Sequence, residues 1–562
     1  MTTLTHILFQ SYQRNPDRLA LVIQHAGQPD RLVSSRDLLE GASRYAQAYH
    51  QAGIQPGEVV ILILQHGEDL VYSFFGAILG GQIPSIMPFL TEKLSPERYR
   101  ADLAALIGIT RPSAIVTYPE FEAEVRSALK QGDSVRAVLN TGSMASSFQP
   151  DLGRLPGLER SPDDIVLLQH SSGTTGLQKG VALSHRAVLN QLDAYSHALG
   201  LNSEDVIVSW LPLYHDMGLI AGFLMPVLQE VKLVLLSPFD WVRAPYRLMQ
   251  AVSEYKGTLS WLPNFAYNFC AQKIRDRQLE GVDLSSWRAV INCSEPVRWE
   301  SHQLFYERFK SYGLRFNALQ TCYAMAENVF GVTQSDLNSQ PFVEEIDSEA
   351  YLTERVARPA QDGRPALKMM SSGRAISNTQ VRVLDDKHRD VPERVVGEIA
   401  LHSDCMLTGY YNRPDATQKA FTRDGWYLTG DYGYLVEGEL FVSGRKKDMI
   451  IVGGKNIYPQ DLESIASQVP GVHPGRVVAF GIYNEEAGTE DVVLVAEVDT
   501  EDDGERQQIA DAVRQAVTRN SAIALRNVYL VSPPWIIKTS SGKTARSANR
   551  DKYLKEMAER GA

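Results

Sequence analysis

The stretch Gln169-His170-Ser171-Ser172-Gly173-Thr174-Thr175-Gly176-Leu177-Gln178-Lys179-Gly180 interrupts two apolar, β-like runs at 165–168 and 181–183. Its composition suits an anion. Glycines let the backbone turn tightly and come close to a ligand. Ser171, Ser172, Thr174 and Thr175 add hydroxyl donors, and Lys179 adds a cation. Successive backbone N–H groups in such a turn form a concave nest for negative charge. The triphosphate of a nucleotide is the ligand that fits. The ordinary reading of such composition is a polar surface loop. It ranks second here because hydroxyls, glycines and a lysine are packed between two strands. The loop is not of the Walker type, which needs glycine, four residues, then Gly-Lys-Ser/Thr. Gln178 stands where the second glycine belongs, and Ile537 spoils the same pattern ahead of Gly542-Lys543-Thr544.

Working outward, 562 residues exceed one ordinary core, so two or more domains are expected. A 44% hydrophobic, 22% charged composition is that of a water-soluble globular chain. A net charge of -11 argues against a nucleic-acid binder that works by general electrostatics. Cys270, Cys293, Cys322 and Cys405 are widely spaced and form no CxxC pair, so neither a zinc site nor a disulfide framework is indicated. They read as small buried residues. No signal peptide is evident at the start, and the longest apolar stretch, 218–228, is too short to span a bilayer. A reduced, cytoplasmic protein with no membrane span is expected.

Upstream of the loop, Ser34 and Asp37 resemble a capping box. They open a helix ended by Gly53, with apolar residues at helical spacing. Apolar strands at 59–64, 83–87, 114–117 and 135–139 alternate with helical segments. This alternation predicts an α/β fold with a mainly parallel sheet. Residues 141–162 read as a connecting loop. Downstream, Ser184 is the expected N-cap of a helix reaching about Leu199. His215-Asp216 sits in a segment bounded by Pro212 and Gly218, and it serves either acid–base chemistry or a pocket wall, the latter being the safer reading.

Polar insertions then follow strands, where open α/β sheets bind ligands. One is Asn292-Cys293-Ser294-Glu295-Pro296; the other runs through Tyr323, Ala324, Met325 and Glu327. Tyr323 can stack a purine. Glu327 can hold Mg²⁺, which favours a few carboxylates plus phosphate oxygens. Residues 343–370 are charged, poorly periodic and read as a surface excursion. Asp431 follows a glycine turn and suits ribose hydroxyls; 445–448 is a charged joint at which the domain boundary is placed. From 449 on, the pattern reads β, α, β, β, α, β, enough for a small α+β domain. The basic segment 538–550 is ordinarily solvated charge, but it also suits a mobile arm that carries Lys543 to a phosphate or carboxylate.

The ordered set 171–180, 292–296, 323–327, Gly430-Asp431, 444–448 and 539–543 resembles the adenylate-forming superfamily over essentially the whole chain. Residues 212–218, 263–267, 294–297 and 452–460, with 45 residues separating Glu327 from Gly373, are similar to the fatty acyl-AMP ligases within it. Two departures stand out: Ala324 follows Tyr323 where glycine is usual, and Leu177-Gln178 replaces a usual proline. The resemblance implies a large N-terminal adenylation domain of layered sheets and helices at 1–446. It also implies a small mobile α+β domain at 447–562.

It implies ATP-dependent activation of a fatty carboxylic acid to an acyl-adenylate, with pyrophosphate released. The acyl group then passes to the phosphopantetheine thiol of an acyl carrier protein. Ser171, Ser172, Gly173, Thr174, Thr175, Gly176 and Lys179 would hold phosphates, with Thr175 also counted as catalytic. Glu327 would bind Mg²⁺. Tyr323, Ala324, Met325, Ser294, Glu295 and Pro296 would line the adenine pocket. Asp431, supported by Arg445, would take the ribose. Lys543 would bridge the carboxylate and the α-phosphate. His215, Phe265 and Tyr267 would gate or line an apolar acyl pocket, and Lys447 would be the hinge. The insertion is expected to restrain the small domain and disfavour use of free CoA. An acyl-CoA synthetase is the alternative. A non-catalytic nucleotide-binding protein is disfavoured because Lys179, Glu327, Asp431, Arg445 and Lys543 are all present.

Overall fold

The computed structural model describes residues 2–89, 96–144, 152, 155–171, 179–452, 455–485, 489–521, 525, 527–539 and 542–560. Its centre is a thirteen-stranded sheet. Six adjacent strands are parallel: Leu19–Gln24, Lys232–Leu236, Val206–Ser209, Leu259–Leu262, Ala289–Asn292 and Leu319–Ala324. They are short apolar runs buried on both faces, which is what a parallel sheet covered by helices requires. Past Leu319–Ala324 the pairing turns antiparallel through Gly331–Gln334, Arg374–Ala375, Glu439–Arg445, Tyr427–Val436, Gly397–Ser403 and Thr379–Leu384. The change of direction falls where Tyr323 and Glu327 lie.

A second, four-stranded parallel sheet holds Ile83–Ile86, Val59–Ile63, Ala114–Thr117 and Ala137–Asn140. A third, antiparallel sheet joins Ile165–Ser171, Lys179–Ser184 and Gly409–Tyr410. Mixed α/β layering is therefore the architecture. The local signals hold as well. Ser34 and Asp37 form a reciprocal capping box on the helix Ser35–Gln51, and Ser184 caps His185–Leu199 through the Ala187 N–H. The apolar run after Asp216 folds as a π-helix, Met217–Leu224, then Met225–Leu228, buried throughout. All four cysteines are buried and free. Among the described residues, no helix is long and apolar enough to cross a membrane.

Three elements differ from expectation. The start of the chain adds a helix, Leu4–Arg14, and two strands, Leu19–Gln24 and Arg31–Ser34, the first strand lying inside the main sheet. The excursion at 343–370 is ordered as a hairpin, Val343–Asp347 with Ala366–Met370, around a helix Ser348–Glu354. Its Ile346, Tyr351 and Leu352 are buried in one cluster with Ile457, Tyr458 and Leu462 from the small C-terminal domain. That domain is a three-stranded sheet, Val472–Asn484, Thr489–Val498 and Asn527–Val531. Helices Pro459–Ala466 and Asp503–Ser521 accompany it, and a terminal helix, Arg546–Arg560, occupies part of the expected basic tail.

Candidate active site

Tyr323 stands near the end of the strand Leu319–Ala324, and Glu327 sits in the 3₁₀ turn Ala326–Asn328 that follows. The turn is closed by Val329 at φ 62°, ψ -55°, with the Phe330 N–H donating to the Asn328 carbonyl at 2.6 Å. That is a γ-turn of the strained hand on a β-branched residue. Ser294, with φ 69°, is a second non-glycine residue held in left-handed backbone at the site. Such strain persists only where surrounding structure over-determines it.

Asp431 lies opposite Arg445 on neighbouring antiparallel strands. Its Oδ1 pairs with Arg445 Nε at 3.0 Å, and its Oδ2 accepts from the Tyr323 hydroxyl at 2.6 Å. The carboxylate is buried, the guanidinium half exposed. Burial, reinforced by the Asp431 charge, pushes the Tyr323 phenol far above its ordinary value, so it remains a donor. A carboxylate offers about four lone-pair directions, which leaves capacity for ribose hydroxyls.

Glu327 is also buried. Its Oε1 accepts from the Tyr410 hydroxyl at 2.9 Å, and Tyr410 in turn meets the Tyr427 hydroxyl at 3.0 Å. Burial raises the Glu327 carboxyl above the usual range, with the Tyr410 bond opposing it. Lys179 extends its Nζ over the Tyr410 ring, 4.5 Å from the centroid. Strand pairing of Ser171 with Lys179 joins the two ends of the segment expected to hold phosphates. Ser172, Gly173, Thr174, Thr175 and Gly176 lie outside the described residues, as does the Ser171 side chain. On the strand Ile165–Ser171, burial pushes His170 down to about 4 and keeps it neutral, and its Nε2 meets Ser85 Oγ at 2.6 Å.

Lys543 belongs to a tight turn of the small domain. The Thr539 N–H donates to the Lys543 carbonyl at 2.7 Å, and the Lys543 N–H donates to Thr539 Oγ1 at 3.2 Å. Gly542, at φ 86°, is the residue that permits the turn. A Cβ on it would stand 3.6 Å from the Phe265 ring, so the turn rests on the large domain. Asp216 is close by. Burial would raise its carboxyl, but His215, whose Nδ1 is 2.6 Å from Oδ1, and the charge of Lys543 bring it to about 2. The Met217 N–H also donates to Asp216, which caps the π-helix. Gly218 must be glycine there, since a Cβ would meet the Pro212 carbonyl at 2.2 Å.

Phe265 meets Trp210 and Trp241 edge-on at 6.4 and 6.3 Å, and those two indoles stack at 3.5 Å. Tyr267, expected in the same wall, points elsewhere. It is fully buried, donates to the Val290 carbonyl at 2.8 Å and stacks on His302 at 4.9 Å. Two positions along a helix face away from each other, which separates it from Phe265. Glu295 accepts from the Phe265 N–H at 2.9 Å and thereby caps that helix. Ser294 Oγ lies 3.7 Å from Met217 Sδ, and Pro296 is exposed. Ala324 pairs with Gly331, and the Met325 N–H donates to the Phe330 carbonyl at 2.9 Å.

Lys447 follows Arg445 in the 3₁₀ turn Lys446–Asp448. Burial lowers its ammonium, and the charges of Arg445 and Lys179 add to that, so three cations converge near the start of the strand Lys179–Ser184. Arg546 ties this joint to the lysine turn: it pairs with Asp448 at 2.7 Å and Glu463 at 2.8 Å. Arg298 of the large domain pairs with Asp461 of the small one at 2.7 Å. Tyr410, Tyr427, Arg546 and Arg298 carry no signal in the sequence that marks them as site residues.

The arrangement is a buried carboxylate–phenol–guanidinium cluster, a second buried carboxylate, and cations arriving from two directions. The model of the AMP-binding enzyme family matches residues 8–411. The chain belongs to that family. Relatives of this adenylate-forming enzyme include the medium-chain-fatty-acid--[acyl-carrier-protein] ligase JamA of Moorena producens, 29% identical over 98% of this chain and 95% of that one. The 4-hydroxyphenylalkanoate adenylyltransferase of Mycobacterium tuberculosis is 30% identical over 89% of this chain and 82% of its own length. A solved structure from a study of fatty acyl-adenylate ligases of E. coli and L. pneumophila superposes with a TM-score of 0.90. It shares 29% identity and covers 100% of this chain and 98% of that one.

Proposed function

We propose that this enzyme activates a fatty carboxylic acid with ATP and delivers the acyl group to the phosphopantetheine thiol of an acyl carrier protein. The observation that carries this reading is the seat of the lysine turn. Gly542 lies against Phe265, and the Lys543 charge acts on Asp216, so the small domain presents its cation to the large domain's site. Relatives named for fatty acyl-AMP and carrier-protein ligation support the choice of acid and acceptor.

In the first half-reaction a carboxylate oxygen attacks the α-phosphorus and pyrophosphate leaves. The acid is already ionised at neutral pH and needs no base. What it needs is positioning and relief of repulsion between anions. Tyr323 and Asp431–Arg445 would hold the nucleoside, Lys179 and the loop ahead of it the leaving phosphates, and Lys543 the reacting oxygens. Glu327 fits Mg²⁺, being a hard oxygen donor with one oxygen bonded to Tyr410. Among the described residues no group of three or more His, Cys, Asp or Glu gathers around it, so ATP phosphates and water would complete the shell. The ion would neutralise charge on the phosphates.

An apolar chain entering beside Phe265, Trp210 and Trp241, with His215 at the entrance, would be stabilised by about 0.8 kcal/mol per buried methylene. Residues 1–446 and 447–562 act as separate units turning about Lys447, which exchanges the adenylating arrangement for the thiol-transfer one. The insertion supports a carrier acceptor over free CoA, because Tyr351 packs 5.7 Å from Tyr458 and Arg355 donates to Asn456 at 3.0 Å, bracing the small domain. The test offers the enzyme ATP, fatty acid and either CoA or phosphopantetheinylated carrier protein. Thioester on the carrier is expected; equally rapid acyl-CoA formation would reverse the choice of acceptor.

A further inference from the structure

The short strand Gly409–Tyr410 touches three parts that adenylation has to bring together. Its backbone is laddered to the strand leaving the phosphate loop. Gly409 pairs with Ala182, Tyr410 with Val181, and the Tyr411 N–H donates to the Gly180 carbonyl at 2.8 Å. Just before it, the Leu407 N–H donates to the Glu327 carbonyl at 2.8 Å. The Tyr410 side chain is buried. Its hydroxyl reaches Glu327 Oε1 at 2.9 Å and is backed by Tyr427 at 3.0 Å. Its ring carries Lys179 Nζ at 4.5 Å.

Packing alone would be served by a phenylalanine here. A buried hydroxyl is costly unless bonded, and this one spends its bonds on Glu327 and Tyr427. Glu327 and Lys179 are long side chains with many rotamers, and each is fixed by a different part of one ring. We propose that Tyr410 is a positioning residue: its hydroxyl orients the Glu327 carboxylate and its ring face orients Lys179, keeping the cation-binding and phosphate-binding groups in register. The inference rests on the adenylating reading given above.

The two halves can be separated by substitution. Tyr410→Phe removes the hydroxyl and keeps the ring; Tyr410→Leu removes both. Mn²⁺ uptake by the protein–ATP complex, read as loss of the free-ion EPR signal, reports the Glu327 half directly. It is joined by the Mg²⁺ dependence of ATP–pyrophosphate exchange. Tyr410→Phe is expected to weaken Mn²⁺ uptake and raise the Mg²⁺ requirement about 10-fold, as loss of a partner behind a metal ligand does. Exchange at saturating Mg²⁺ should return close to the unmutated rate. Tyr410→Leu should in addition raise the KM for pyrophosphate, through Lys179. Adding Tyr410→Phe to Glu327→Gln should change Mn²⁺ uptake no further.

A folded Tyr410→Phe protein with unmutated Mn²⁺ uptake and Mg²⁺ dependence would overturn the proposal. So would full additivity with Glu327→Gln. If Tyr410→Phe does not fold, Tyr427→Phe, which releases the hydroxyl from behind, should show a smaller shift in the same direction, and no shift overturns the proposal. Absence of carboxylate-dependent exchange in the unmutated chain would instead sink the adenylating reading, and the Mn²⁺ measurement would still decide this one.

Discussion

The nucleotide side of the site and the lysine turn hold their charges in different ways. Tyr323, Asp431 and Arg445 stand on three strands of one sheet, and their side chains bond to each other. Lys543 stands on a turn of another domain, closed by Thr539 and resting on Phe265 through Gly542. Under the proposed function, binding the nucleotide and supplying the reactive cation are therefore separate tasks, so damage to one should spare the other.

The sharpest break in that comparison is at Arg546, the strut of the small domain. Arg546→Met leaves Asp448 and Glu463 without their shared buried partner, at a cost of about 3–5 kcal/mol in stability. A lowered midpoint in urea unfolding checks this, and an unchanged midpoint would deny the strut. Next comes Lys543→Ala. Exchange should fall about 10²–10³-fold, the usual loss for a group that stabilises transition-state charge. ATP binding should stay close to normal, and joint loss of both would erase the distinction between the two regions. On the other side, Asp431→Asn should raise the KM for ATP about 10-fold or more, since a hydrogen bond to a charged group contributes about 1.5–3 kcal/mol. An unchanged KM would remove Asp431 from the nucleotide site.

Acid should also separate the regions. Burial drives His302 to about 3 and His185 to about 4, and both lie in the large domain. The folded state keeps these imidazoles neutral while the unfolded chain protonates them below its ordinary value. Their stabilisation is therefore complete above about pH 6.5 and declines as pH falls, by about 2 kcal/mol for His302 at pH 5. The gap between urea midpoints measured at pH 7 and pH 5 should narrow, without closing, when His302 is replaced by Phe, because His185 keeps its own share; an unchanged gap would deny His302 its part. The smallest effect belongs to Tyr323→Phe, which removes one bond to Asp431. A rise of about 3-fold in the KM for ATP is expected, on the order of 1 kcal/mol or less.

What was legible in the sequence were the places where polar residues interrupt apolar strands. The loop at 171–180 and Glu327 announce themselves that way, Asp431 by the glycine turn before it, and Ser34 and Ser184 by their place at the start of helical spacing; Lys543 lies in a basic segment and stands out only through the resemblance carried by 539–543. The α/β architecture followed from short apolar runs alternating with helical spacing. Tyr410 was invisible because a tyrosine on a two-residue strand carries no periodicity; only its cross-chain partners, 83 residues back at Glu327 and 17 ahead at Tyr427, give it meaning. Arg546 was hidden in a basic segment that reads as solvated charge. The insertion read as a surface excursion because its apolar residues, Ile346, Tyr351 and Leu352, are covered by Tyr458 and Leu462 from a domain a hundred residues on. The resemblance assigned Phe265 and Tyr267 to one apolar wall, and helix geometry separates them.

The measurement that bears most directly on the account is ATP–pyrophosphate exchange by the unmutated enzyme, with and without a panel of fatty and aryl carboxylic acids. Exchange that appears only when an acid is present is the predicted result. Tight ATP binding with no exchange for any acid would contradict it, and would leave a nucleotide site whose lysine has nothing to act on.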